Sequence, residues 1–144
     1  MTIFRKFTIR AASWRDDLAA LQDVRRRVFI VEQQIPEELE WDDADAVSVH
    51  VLALDGEGQA IGTGRLLPDG HVGRMAVLHD WRHCGVGSAV LQWLMLHARQ
   101  RGLDTLHLHA QTHALDFYAK QGFAAYGEEF SEAGIPHRKM SLRF

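Results

Sequence analysis

Apolar positions recur at helical spacing in two stretches of the chain. In the first, a capping-box spacing at Ser13–Asp16 precedes apolar residues three or four positions apart, at Leu18, Leu21, Val24, Val28 and Val31. This pattern predicts a helix that ends near Glu32. In the second, residues 86–97 trace one apolar face, and Gly102 supplies a residue suited to the left-handed C-terminal cap. The sequence therefore predicts two long amphipathic helices.

Runs of apolar and β-branched residues between turn sequences predict strands. Val47–Leu54 and Ala60–Leu67 flank Asp55–Gly58, which is typical of a hairpin turn. A second turn at Pro68–Gly70 leads into another strand over His71–Leu78. Three strands joined by short turns predict an antiparallel meander.

The second half of the chain alternates between helix and strand. Leu103–Ala110 is a predicted strand, Ala114–Gln121 a short helix, and two further strands are expected near Phe123 and over Arg138–Phe144. A long helix separates the strand at His71–Leu78 from the next one. These two strands are therefore expected to be parallel neighbours in an otherwise antiparallel sheet.

Two parts of the pattern are irregular. The segment Pro36–Asp43 breaks the helical spacing and carries an acidic stretch, which predicts an exposed loop or a short helix. Glycines also stand inside the predicted strands, where they weaken strand propensity, at Gly62, Gly64 and Gly73. They indicate a bulge or a close approach to the backbone.

Composition and charge narrow the class of protein. The 144 residues, 47% hydrophobic and 24% charged, predict one folded domain over residues 1–144. The net charge of -3 does not provide the positive surface that general nucleic-acid binding requires, so nucleic acid is not an expected partner. No apolar run approaches the roughly 18 residues that cross a bilayer, so no membrane span is expected. Cys84 is the only cysteine and no secretory signal begins the chain, so a cytoplasmic protein is expected.

The most informative segment is Arg82–Gly87, with the sequence Arg-His-Cys-Gly-Val-Gly, between a predicted strand and the second long helix. The first amides of a helix lack partners and carry partial positive charge, and glycines let a phosphate approach them. A P-loop would need a lysine before Ser88, and a dinucleotide fold would need G-x-G-x-x-G. Neither is present. The segment predicts a phosphate-binding turn, with a simple helix-starting turn as the alternative.

The spacing of Arg82, Gly85 and Gly87 fills the pattern Q/R-x-x-G-x-G/A, which resembles the acetyl-CoA pyrophosphate signature of the GNAT N-acetyltransferase superfamily. Gly73–Val77 resembles the family's strand before that loop, and Phe117–Phe123 resembles its late helix and the strand that follows. The small single-domain ElaA-like branch is similar at Arg25, Val28, Phe29, Glu32, Gln33, Asp42, His50, Gly62 to Leu66, Ala110, Gln111, Gly134, Ile135 and His137.

The resemblance implies an α/β (α+β) acyl-CoA N-acyltransferase fold, with a mixed, mostly antiparallel sheet, a parallel strand pair flanking the CoA cleft, and helices on both faces. It implies acetyl-CoA as cosubstrate and direct acetyl transfer to a primary amine of a small molecule or peptide. The resemblance does not decide whether the protein forms a homodimer. Backbone groups of Met75, Ala76 and Val77 would hold the pantetheine arm. The diphosphate would be bound by Arg82, His83, Cys84, Gly85, Val86, Gly87 and Ser88.

Two catalytic roles need side chains in such an enzyme. Tyr118 matches the tyrosine that protonates the leaving thiolate in many family members, and a half-buried core aromatic is the alternative interpretation. A base must also deprotonate the acceptor ammonium. The sequence does not choose between a water chain and five side chains, namely Glu32, Asp42, His50, His109 and His137.

Three other interpretations compete with this one. An acyl-CoA-binding sensor or regulatory module would keep Arg82–Gly87 without needing Tyr118. A metal-dependent hydrolase would use the histidines His107, His109 and His113, but no carboxylate triad or cysteine completes a ligand set, so no metal site is predicted. A nucleophilic Cys84 is also disfavoured, because a small filler in the loop explains it. The acidic stretch before Asp45 favours a cationic acceptor amine.

Overall fold

The computed structural model describes residues 5–144. Its seven strands form one mixed sheet in the order β1-β2-β3-β4-β5-β7-β6. The strands are β1 (Thr8–Ala12), β2 (Val49–Leu54), β3 (Ala60–Leu66), β4 (His71–Val77), β5 (Thr105–Gln111), β6 (Ala124–Glu132) and β7 (Ile135–Arg143). The helices are α1 (Leu18–Arg25), α2 (Glu37–Glu40), α3 (Val86–Gln100) and α4 (Leu115–Lys120). Among residues 5–144, no helix has the length and apolar character needed to cross a membrane.

The sheet confirms the main sequence predictions. β2, β3 and β4 form the antiparallel meander, and β4 and β5 are the one parallel pair among the strand pairings of the described residues. β1 was not predicted from the sequence, and it extends the sheet at the edge beside β2. The last two strands form a hairpin that extends to Glu132 and Ile135, well beyond the predicted segments.

The first helix follows the predicted apolar face but changes its hydrogen-bond pattern partway. Ser13 Oγ accepts hydrogen bonds from the Arg15 and Asp16 amides, while the side chain of Asp17, rather than that of Asp16, accepts from the Ser13 amide. α1 therefore begins at Leu18. From Arg26 to Glu32 the backbone forms a π-helix, a wider winding that frequently occurs at functional sites.

Helix α3 lies so close to β3 that the strand needs its glycines. A Cβ on Gly62 would stand 2.9 Å from Val86 Cγ1, and one on Gly64 would stand 2.8 Å from Met75 Sδ and 2.9 Å from Val90 Cγ1. The close backbone approach expected from these glycines is thus present. The alternation of side chains on β3 turns Thr63 toward the other face, where α1 packs, so the two long helices cover opposite faces of the sheet.

A bulge in β4 opens the sheet beside the parallel pair. Thr63 pairs with Ala76 but Arg65 pairs with Gly73, so β4 holds one extra residue, and Arg74 there has a φ of +51°. Bulges bend a strand and increase its twist. β4 pairs with β5 only at its first two residues, and the rest of that edge, Gly73 to Val77, has no strand neighbour within residues 5–144.

Buried ion pairs hold the acidic segment on the sheet. Arg25, which is 1% exposed, donates to Glu40 at 2.7 Å and to Asp45 at 2.6 Å. Arg65 donates to Asp45 at 2.9 Å, and Arg74 lies 3.2 Å from Glu40. The expected exposure of Pro36–Asp43 is therefore wrong for Glu40, while the short helix that the pattern allowed is present as α2. Buried charges persist only when they are paired, and three arginines from other elements provide the pairing.

Candidate active site

A cleft of about 1100 Å³ opens between the diverging ends of β4 and β5. The bulge of β4 creates it, because the open edge of that strand has no neighbour to hydrogen-bond. The cleft passes through the sheet, so both faces contribute to its lining. Its walls come from the π-helical segment, the open edge of β4, the start of α3, the first turn of α4, and the ends of β5, β6 and β7.

The start of α3 presents backbone amides to this cleft. Gly85 is the N-cap residue with a φ of +88°, and no side chain caps the helix. His83 also has a positive φ, of +60°, which turns the chain sharply into the helix. The first amides of a helix have no intrahelical partner, and the helix dipole adds positive potential there. Of the predicted diphosphate-binding residues, Arg82, His83, Gly85, Val86, Gly87 and Ser88 line the cleft.

Cys84 is the exception within this loop. Its side chain is buried against the core below α3, and its Sγ lies 3.4 Å from the carbonyl oxygen of Arg82. The cysteine does not line the cleft. This placement agrees with a small packing residue, and it leaves only the backbone of Cys84 for any role toward a ligand.

The guanidinium of Arg82 is already engaged by the protein. Its two terminal nitrogens donate to both carboxylate oxygens of Glu32, and its Nε donates to the carbonyl of Val77 at 3.1 Å. The hydrogen bond with Arg82 lowers the pKa of Glu32, and the same contact raises the pKa of Arg82. Arg82 therefore joins the loop to β4 and to the end of the π-helical segment.

The predicted pantetheine-binding residues Met75, Ala76 and Val77 line the cleft along the open edge of β4. On its other edge β4 pairs with β3. Backbone groups that would bind a further strand in a complete sheet are thus directed at the cleft, and an extended ligand carrying amides can pair with them.

Tyr118 contributes to the cleft from α4. It is 9% exposed and packs edge-on against Phe117 and Phe123, with ring centroids 5.0 and 6.0 Å apart. Burial raises the pKa of its phenol well above the ordinary value. The hydroxyl therefore stays protonated at neutral pH, which a proton donor requires. Tyr118 packs as a core aromatic and also reaches the cleft, so both interpretations of the sequence describe part of its position.

The structure separates the five base candidates. Asp42 and His50 do not line the cleft: Asp42 pairs with Arg65 and Arg74, and His50 is buried with its Nε2 2.8 Å from the carbonyl of Asp45. Burial lowers the pKa of His50. Glu32 reaches the cleft with its carboxylate bound by Arg82.

His109 and His137 remain, and they meet at a residue that the sequence analysis missed. Glu132, at the end of β6, lies 3.0 Å from Nδ1 of His109 and 3.7 Å from Nε2 of His137, and all three line the cleft. Glu132 stands in an exposed hairpin with no motif around it, so only the β6–β7 pairing identifies it.

His107, one of the three histidines considered as metal ligands, lies outside the cleft with its Nε2 3.8 Å from Asp69. No three His, Cys, Asp or Glu residues of the described chain are arranged to hold a metal ion.

The acidic residues considered as a binding surface for a cationic acceptor are largely paired. Glu40 and Asp45 form ion pairs with arginines, and Glu37 pairs with Arg26. The acidic segment therefore offers little free charge, and the inference of a cationic acceptor from that segment loses its basis.

A mixed sheet that opens beside one parallel pair, with an uncapped helix start facing the opening, defines the class of acyl-CoA N-acyltransferases. The family model described as Acetyltransferase (GNAT) domain matches residues 17–144. The chain belongs to the GNAT acetyltransferase family, and it is an acyltransferase.

Individual relatives agree with this assignment. YjcF of Bacillus subtilis, named an uncharacterized N-acetyltransferase, is 40% identical over 121 residues, which cover 81% of this chain and 86% of YjcF. An acyl-CoA N-acyltransferase from Pseudomonas aeruginosa is 30% identical with a TM-score of 0.83, covering 95% of this chain and 99% of that one. Escherichia coli ElaA is 25% identical with a TM-score of 0.85, covering 96% and 100%. The expected ElaA-like similarity is confirmed.

Proposed function

We propose that the protein transfers the acetyl group of acetyl-CoA directly to a primary amine of a small molecule or peptide. The observation that carries this proposal is that the uncapped start of α3 and the open edge of β4 face the same cleft. One site binds anions and the other binds an extended amide-containing chain. A CoA thioester contains both kinds of group in one molecule.

The diphosphate would bind at the start of α3. Amides of Gly85, Val86, Gly87 and Ser88 can donate to its oxygens, and the helix dipole favours its negative charge. The positive φ of Gly85 gives these amides their direction. Arg82 would act by positioning the loop, because its Nε and both terminal nitrogens already donate to the Val77 carbonyl and to Glu32.

The pantetheine arm would extend along β4. Backbone groups of Met75, Ala76 and Val77 can pair with its two amides, in the same way that a sheet edge pairs with an added strand. This pairing would place the thioester deep in the cleft. An amide there can donate to the oxygen that becomes negative during attack, where fixed donors contribute most to catalysis.

Tyr118 would serve as the general acid. The neutral amine nitrogen bonds to the acyl carbon, the carbon–sulfur bond breaks, and the sulfur takes a proton from the Tyr118 hydroxyl. The nitrogen, now part of the amide, gives up its extra proton and restores the phenol. The products are the acetylated amine and the free thiol of CoA, with no acyl-enzyme step.

A panel of primary amines with acetyl-CoA tests this function. Thiol release should exceed buffer hydrolysis for at least one amine, and the acetylated amine should appear in equal amount by mass spectrometry. Calorimetry in parallel should show binding of acetyl-CoA. Binding without transfer to any amine would favour the sensor or regulatory module instead, and absence of binding would contradict both.

A further inference from the structure

The two faces of the cleft carry different chemistry. Tyr118 and the start of α3 enter it from the α3 face, where Leu106, Leu108 and Ala110 of β5 are packed in the core. The alternate residues of β5, including His109 and Gln111, point to the opposite face. Given the proposed function, the thioester is reached by Tyr118 from one side, and the acceptor amine has the other side for its approach.

Imidazole and carboxylate groups collect on that second face. Register places His137 of β7 directly opposite Gln111 of β5, and Phe130 of β6 on its other side. Cross-strand partners share a face, so the side chains of His109 and His137 stand together. Glu132, two residues beyond Phe130, has one carboxylate oxygen near each imidazole.

One hydrogen bond determines the tautomer of the neutral His137 ring. Its Nδ1 lies 2.7 Å from the carbonyl oxygen of Ile135. A carbonyl oxygen only accepts, so Nδ1 carries the proton in the neutral ring and Nε2 keeps its lone pair. His137 is 6% exposed yet lines the cleft, and Phe130 stacks on its ring at 5.9 Å. The ring is held with a proton-accepting nitrogen available.

We propose that Nε2 of His137 is the base that deprotonates the acceptor ammonium, and that Glu132 is its positioning residue. This assignment rests on the proposed function. The ammonium gives one proton to His137, which becomes an imidazolium, and the neutral amine then attacks the thioester. The carboxylate of Glu132, 3.7 Å from Nε2, stabilises the imidazolium. The imidazolium returns its proton to solvent after the products leave.

The surrounding charges act on this pair from several elements. His109 donates from Nδ1 to Glu132 at 3.0 Å, and its ring contacts Phe130 at 5.1 Å. Five further titratable or charged groups stand on nearby register positions or across the cleft, namely His71, His107, Lys139, Glu32 and Arg82. Glu132 is the one carboxylate within 4 Å of His137 among the described residues.

The pH dependence of kcat/KM for a strongly basic amine tests the assignment. The wild-type profile should contain a rising limb, because a base accepts a proton only while it is unprotonated. His137→Gln should lower kcat/KM by about 10²-fold or more and remove that limb, so the rate follows the concentration of free amine. His79→Gln is the matched control, since the side chain of His79 is 82% exposed and lies outside the cleft.

A weakly basic acceptor, such as an aromatic amine, provides a second readout. It is already neutral at pH 7 and needs no base, so His137→Gln should reduce its transfer rate by less than about 10-fold. A variant that is merely misfolded would lose activity with both acceptors equally. An equal loss in a variant that still binds acetyl-CoA with the wild-type Kd, or an unchanged profile with the basic amine, would overturn the assignment.

Glu132→Gln keeps the test open if His137→Gln fails to fold, because Glu132 is half exposed. Removing the carboxylate should lower kcat/KM for the strongly basic amine more than for the aromatic amine, because only the first acceptor needs the base that Glu132 holds. Equal effects on the two acceptors would overturn the positioning role. Failure of the wild-type protein to acetylate any amine would instead contradict the proposed function, and this inference with it.

Discussion

Tyr118 both packs in the core and reaches the cleft. Its ring fills space between Phe117 and Phe123, while its position on the first turns of α4 brings it to the cleft. Burial raises the pKa of the phenol because the phenolate would lose its hydration. The same burial that packs the ring therefore keeps the phenol protonated throughout the neutral pH range.

Tyr118→Phe should separate the packing of the ring from the proposed role of the hydroxyl. The ring and its packing remain, so acetyl-CoA should bind with its wild-type Kd, while kcat should fall by about 10²-fold or more. Tyr126→Phe is the matched control, since Tyr126 is the chain's other tyrosine and is exposed on β6. A near-normal rate in Tyr118→Phe, measured by thiol release, would assign the hydroxyl no part in the reaction.

The π-helical segment is the element that connects the two walls of the cleft. At its end, Gln33 and Gln111 exchange amide hydrogen bonds of 3.1 and 3.0 Å, which join it to the end of β5. One residue earlier, Glu32 binds Arg82 in the loop before α3. The position of the loop before α3 therefore depends on an element more than forty residues earlier in the chain.

Substitutions at Glu32 and Arg82 should distinguish positioning from direct charge. If Arg82 acts by holding the loop, Glu32→Gln and Arg82→Ala should both weaken acetyl-CoA binding, by up to about 10-fold. If the guanidinium instead contacts the diphosphate, only Arg82→Ala should weaken it, because Glu32→Gln would release the charge. The ion pair predicts the first outcome, and calorimetric Kd values for the two variants decide between them.

Elements with local signals were predictable, and those held by distant contacts were not. The β2–β4 meander and α3 carry turn sequences and apolar periodicity, so their positions followed from the sequence. The burial of Glu40 and Asp45 did not, because it depends on ion pairs with arginines at positions 25, 65 and 74. The π-helix was not predicted either. Val24 and Val28 fit ordinary helical spacing, and this pattern does not distinguish a π-helix from an α-helix.

The same distinction applies to the candidate site. The loop before α3 was visible because glycine spacing reports backbone geometry directly. The bulge at Arg74, which opens the cleft, was only hinted at by neighbouring glycines. The place of Glu132 in the site could not be predicted, because its contacts with His109 and His137 depend on the pairing of three strands.

The stability of the whole molecule should depend on His71, which lines the cleft at the start of β4. Burial, together with the nearby His107 and His109, lowers its pKa from 6.5 to about 4. Between these two pH values the unfolded chain takes up a proton that the folded chain does not. The free energy of unfolding therefore falls as the pH drops from 6.5 to 4, and this histidine contributes of the order of 3 kcal/mol to that fall.

Urea denaturation at several pH values measures this effect. His71→Gln should make the loss of unfolding free energy between pH 6.5 and 4 shallower than in the wild type. His79→Gln, at a histidine whose side chain is 82% exposed, should leave the slope unchanged. Parallel curves for the wild type and His71→Gln would show that His71 is not held in its neutral form by the fold.

The account depends most on the start of α3 as the binding site for the diphosphate, and calorimetry on two alanine variants tests it directly. Gly85 and Gly58 have φ values of +88° and +82°, and a Cβ on either meets nothing within 4 Å, so each substitution strains the backbone to a similar extent. Only Gly85 lies at the cleft; Gly58 is in the β2–β3 turn. We expect Gly85→Ala to raise the Kd of acetyl-CoA by about 10-fold or more and Gly58→Ala to leave it unchanged. Equal Kd values for both variants and the wild type would contradict the proposed site.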